Sequence, residues 1–115
     1  MITYEKFKEL FDLLDSDRTP EIEIYFENTD DVYMIVKHND YVDFGKWGLY
    51  VSSNENRNFA NLDELYNSEV DGICLKRDWN RISDILIDLA FSVVDDKEEL
   101  EKMYGVKLWK KFQGI

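Results

Sequence analysis

The stretch Glu21–Ser52, EIEIYFENTDDVYMIVKHNDYVDFGKWGLYVS, sets the architecture of the chain. It reads as four short β-strands: Glu21–Glu27, Val32–Lys37, Tyr41–Phe44 and Leu49–Ser52. β-branched and aromatic residues fill these runs, while Asn28–Asp31, His38–Asp40 and Gly45–Gly48 supply the turn chemistry between them. Connections this short force neighbouring strands to run antiparallel, so the stretch is a meander.

Alternation assigns the faces. In the first run Ile22, Ile24 and Phe26 share one side, with Glu21, Glu23, Tyr25 and Glu27 on the other. One face therefore meets a core. The second run is apolar on both sides at Met34-Ile35-Val36. Val32, Met34 and Val36 are taken as inward and Tyr33, Ile35 and Lys37 as outward, a choice that a one-residue slip in the Asn28–Asp31 turn reverses. The third and fourth runs send Val42, Phe44, Leu49 and Val51 inward. Under this register the outer face carries Tyr25, Tyr33, Tyr41 and Tyr50 among Glu21, Glu23, Glu27 and Asp43.

Working outward, Thr3–Leu14 shows Tyr4, Phe7, Leu10, Phe11 and Leu14 at three- and four-residue spacing, an amphipathic helix with Thr3 as N-cap. Asp15–Pro20 ends it, because proline disfavours helix in the residue before it. Ser53–Ala60 is a polar loop. Asn61 with Glu64 resembles a capping pair opening a short helix through Tyr66, and Val70–Leu75 reads as a fifth strand with Gly72 at a bulge. Asp78 caps a longer helix, Trp79–Val94, whose stripe is Ile82, Ile85, Leu86, Leu89, Ala90 and Val93. Asp95 and Glu98 then open a third helix through Tyr104, stopped by Gly105. The expected fold is α+β: an antiparallel meander of four to five strands, an N-terminal helix, and two C-terminal helices packed on the sheet.

At 115 residues the chain fits one domain, 1–115, with a basic aromatic C-terminal segment at 106–115. A 44% hydrophobic content supports a core despite 34% charged residues. One cysteine, Cys74, allows no internal disulfide and suits a reducing, cytoplasmic setting. Neither a signal peptide nor a membrane span is evident.

Net charge is −11, and its placement is uneven. Residues 102–115 hold four lysines and no acid, so residues 1–101 carry −15. Such a surface repels phosphate backbones, which disfavours direct nucleic-acid binding, and it steers basic proteins inward.

Catalytic machinery is thin. His38, the single histidine, lies in a turn beside Asn39 and Asp40 and reads as exposed, with no nucleophile elbow in the chain. One histidine and one cysteine do not make a zinc set. Asp15-x-Asp17-x-Thr19 resembles the opening of a calcium loop, but Pro20 and Phe26 stand where that loop needs glycine and glutamate. Asp30/Asp31 and Asp84/Asp88 are carboxylate pairs of the kind a chain this acidic contains by chance. The expectation is no enzyme, no metal and no cofactor.

The feature above background is the sheet face bearing Glu21, Glu23, Tyr25, Glu27, Tyr33, Tyr41, Asp43 and Tyr50. Aromatic residues provide rigid contact area and carboxylates attract a basic partner. The competing reading is that a helix covers this face. Small size and acidity give a bacterial or phage inhibitor, immunity-type or regulatory factor as the leading expectation. A self-associating assembly subunit, such as a homodimer, is the alternative, and a carboxylate-dependent hydrolase comes last.

Overall fold

The first strands of the meander pair as expected, and a strand from much later in the chain joins them on the opposite side. The structure, a computed structural model, describes residues 2–47, 57–88 and 97–109. Strands β1 (Glu21–Phe26), β2 (Val32–Lys37) and β3 (Val42–Trp47) form an antiparallel ladder, and β4 (Arg57–Phe59) pairs with β3 at the edge. The fold is α+β, with an N-terminal helix α1 (Tyr4–Leu13). Thr3 caps α1, its hydroxyl accepting from Lys6 N–H, and Phe7, Leu10 and Phe11 are its buried face.

Three boundaries differ from the sequence reading. β3 continues through Gly45 and Lys46 to Trp47, where a turn was expected. Glycine permits a turn without requiring one, and here Gly45 holds a ladder position opposite Met34. β4 lies inside the segment read as a polar loop. A three-residue edge strand is too short to show alternation; Phe59 is buried and Asn58 exposed. The expected strand Leu49–Ser52 lies outside the described residues.

The largest difference concerns residues 79–88. Trp79–Arg81 makes one 3-10 turn, and Ile82–Asp88 is strand β7, antiparallel to β1, where a helix was expected. The apolar spacing misled for a specific reason. The ladder shifts register between Tyr25 and Phe26, so Ile82 faces Phe26 while Ile85 faces Ile24. This bulge around Ser83 lets residues three apart share a face, which a regular strand forbids and a helix requires. Ile82, Ile85 and Ile87 are all buried.

Between β4 and β7 the chain crosses from one side of the meander to the other. Helix α2 (Leu62–Tyr66) starts at Asn61, whose side chain accepts from Glu64 N–H at 2.9 Å. The expected single strand Val70–Leu75 is instead a hairpin, β5 (Glu69–Val70) and β6 (Ile73–Cys74). Asp71 and Gly72 at its tip have φ of 51° and 81°, the doubly left-handed turn that an Asp-Gly pair favours. Helix α3 (Leu75–Asp78) follows. Asp78 does not cap a long helix. It is buried, accepts from Cys74 N–H at 3.0 Å and pairs with Arg77 at 3.0 Å.

Helix α4 (Lys97–Tyr104) ends at Gly105, in left-handed conformation, whose N–H returns to Glu101 O at 2.8 Å. Strand β8 (Lys107–Trp109), at the start of the basic segment, joins β7 in parallel. Sheet order is β4-β3-β2-β1-β7-β8, antiparallel throughout its first five strands.

One buried cluster holds the layers together. It takes Ile22, Ile24, Tyr33, Ile35, Phe44 and Ile87 from the sheet, and Phe7, Leu65, Leu75 and Tyr104 from α1, α2, α3 and α4. Tyr104 also donates to Glu9 Oε1 at 3.1 Å, which ties α4 to α1. All four described helices therefore contribute to a core on one side of the sheet.

Candidate functional site

The opposite face of the sheet is where the sequence placed its candidate residues, and the ladder defines it row by row. Residues directly across an antiparallel pair point to the same side. One row runs Glu21–Val36–Asp43–Asn58, the next Leu86–Glu23–Met34–Gly45, the third Asp84–Tyr25–Val32. None of these side chains belongs to the buried cluster, and Glu21, Glu23, Tyr25, Val32, Met34, Val36, Asp43, Asp84 and Leu86 are all half-buried.

The second strand corrects the expected register. Tyr33 faces Ile24 and Ile35 faces Ile22, so both are buried, at 3% and 0% exposure, while Val32, Met34 and Val36 face outward. Either face of β2 is apolar, and the choice falls to the partner strand. Ile22 and Ile24 pull their cross-strand neighbours inward, and Tyr33 adds ring contacts to Phe26 at 5.5 Å and Phe44 at 5.7 Å. Its hydroxyl donates to Asp71 O at 3.2 Å, which satisfies the one polar atom it carries inward. Tyr33 is therefore a core residue, and burial pushes its phenol pKa up.

Of the other expected residues, Glu21, Glu23 and Tyr25 lie together on β1. Tyr25 OH donates to Glu23 Oε2 at 3.1 Å. Burial first, then that carboxylate and nearby Asp84, raise the tyrosine's pKa. Glu27 is exposed just past the strand, its N–H bonded to Arg81 O at 2.8 Å. Tyr50 lies outside the described residues.

Asp43 and Tyr41 form a second group at the β2–β3 turn. His38 Nε2 lies 2.8 Å from Asp43 Oδ2, and its ring stacks on Tyr41 at 4.2 Å and 14°. The His38 backbone N–H closes the turn on Tyr41 O at 3.0 Å. His38 is thus half-buried and held, where the sequence suggested an exposed side chain. Tyr41 keeps 39% of its surface exposed.

Sequence reasoning missed the apolar members of the face: Val32, Met34, Val36 and Leu86. The signal was present in Met34-Ile35-Val36, because a strand apolar on both sides must show one apolar set outside the core unless a second layer covers it. Leu86 was hidden by its place in a helical stripe.

Chemically the face offers carboxylates, a phenol and one imidazole around an aliphatic stripe. No group of three His, Cys, Asp or Glu side chains converges to hold a metal among the described residues. Cys74, half-buried, has its thiol 3.8 Å from Tyr66 O inside the structural hairpin. Among the described residues no helix is long and apolar enough to cross a membrane. No family model, no curated protein and no solved structure matches the chain.

Proposed function

We propose that the chain is a non-catalytic acidic module that docks on a basic protein surface, as an inhibitor, immunity-type or regulatory factor. One observation carries the reading: the sheet face turned away from every described helix holds Glu21, Glu23, Asp43 and Asp84 around Val32, Met34 and Val36. Protein interfaces combine an apolar centre with a polar rim, and a potential of one sign speeds encounter with its complement. A net charge of −11 adds long-range steering of the same sign and opposes nucleic acid as the direct partner. Two copies meeting through this face would set carboxylates against carboxylates, so a basic partner fits it better than a homodimer does. The single thiol suits a reducing cytoplasmic setting.

The test is affinity capture of the tagged protein from native lysate at low and moderate salt, beside a Glu21→Lys/Glu23→Lys variant. The expected result is a stoichiometric partner that is lost as salt rises and that associates more slowly with the variant. The same partner binding both proteins at equal rate would remove this face from the interaction.

A further inference from the structure

We infer, on the basis of that docking reading, that the element seated on the face is a basic amphipathic helix of the partner. The face lies in the interior of the sheet: β2 is paired on both sides, by β1 and β3, so its backbone groups are committed to the ladder. Addition of an extended peptide needs a sheet edge, whereas an interior face accepts side-chain packing, which a helix supplies.

The dimensions agree. Val32, Met34 and Val36 repeat every second residue along β2, a stripe roughly 14 Å long at about 3.4 Å per residue. Apolar residues on one side of a helix recur about every 5.4 Å, so three turns cover that stripe. A helix about 10 Å across, set over β2, overhangs both neighbouring strands, which lie about 5 Å to either side. Its flanks then stand above Glu21 and Glu23 on β1 and above Asp43 on β3.

Charge selects the sign of those flanks. Among the described residues Glu23 is bonded to a neutral phenol and Asp43 to His38, and neither is paired with lysine or arginine. Lysine or arginine on either flank of the helix meets a carboxylate row. The two longest described helices of this chain do not meet that requirement: α1 and α4 each hold three acids against two lysines. Neither helix of a second copy is thus a suitable occupant.

The experiment uses a 14-residue peptide of leucine and lysine alone, with leucines at three- and four-residue spacing. Its control has the same composition in strict alternation. Binding is read by titration and by NMR shifts of the protein's methyl and amide groups. The helical-period peptide is expected to bind at least tenfold more tightly than the control, with shifts centred on Val32, Met34, Val36 and Leu86. Met34→Lys and, separately, Val36→Ala are expected to weaken it while the thermal midpoint stays near that of the parent.

Equal binding of the two peptides, or shifts centred elsewhere, would overturn the helix inference and leave a polyelectrolyte association only. If the captured partner still responds to Glu21→Lys/Glu23→Lys in that case, the docking face stands and the helix alone falls. If neither responds, both fall.

Discussion

The ammonium of Lys37 lies 2.6 Å from the carbonyl oxygen of Phe11 and 2.8 Å from that of Leu14, so a cation on the sheet closes the C-terminal end of α1. It also sits 4.9 Å from the centre of the Phe11 ring. Helix ends leave carbonyls without intrahelical partners and carry partial negative charge, which a lysine there satisfies. This clasp commits α1 to the Tyr33–Ile35–Lys37 side of β2 and leaves Val32, Met34 and Val36 on the other. Burial lowers the lysine's pKa, and the nearby carboxylates of Asp12 and Asp15 oppose that shift.

Replacing Lys37 with methionine keeps most of the stem and removes the two bonds. A loss of about 1.5–3 kcal/mol in chemical denaturation is expected, the range for hydrogen bonds to a charged group. An unchanged midpoint would mean that water caps α1 equally well.

The register of β2 is tested by truncating its two faces. Tyr33→Ala empties a buried site and should cost about 3–5 kcal/mol, as large core aromatics do. Met34→Ala, on the half-buried side, should cost about 1 kcal/mol or less. Comparable losses at both positions would contradict the assigned faces.

Residues 82–88 allow a sharper comparison, because a helix and a strand disagree on which neighbour is buried. As a strand, Ile87 lies in the core and Leu86 faces outward. Ile87→Ala should therefore destabilise by about 2–5 kcal/mol and Leu86→Ala by much less. The reverse order would restore the helix.

Asp78 controls part of the acid response. Arg77 beside it, with help from Cys74 N–H, holds its carboxyl below the ordinary value of 3.8 even though burial pushes the other way. The unfolded chain therefore binds more protons between the folded and unfolded pKa values. The stabilisation is present above the ordinary carboxylate value and is lost as pH falls through the folded one. Asp78→Asn should lower stability at neutral pH and flatten the decline of stability on the acid side. Parallel pH–stability curves for the two proteins would assign the acid response elsewhere, for instance to Asp63, whose pKa is also lowered, by Lys8 and Tyr4.

Much of the fold was legible wherever short-range rules govern. Thr3, Asn61 and Gly105 mark helix ends through bonds that span three or four residues, and the structure shows all three. The clean alternation in Glu21–Glu27 assigned both faces of β1 correctly, and with them Glu21, Glu23 and Tyr25 on the outer side. The carboxylates of the candidate face were legible for that reason.

What local pattern could not decide was settled by pairing across the chain. Met34-Ile35-Val36 is equally apolar on both sides, so the burial of Tyr33 depends on Ile22 and Ile24 opposite. Ile82–Asp88 satisfies a helical spacing, and only a bulge against Tyr25 and Phe26 makes it a strand. By itself the sequence determined an acidic α+β chain with an antiparallel meander and a carboxylate-bearing strand. Tertiary structure decided which side of that meander the helices cover, because a side chain's face is set by the strand beside it and not by its neighbours in sequence.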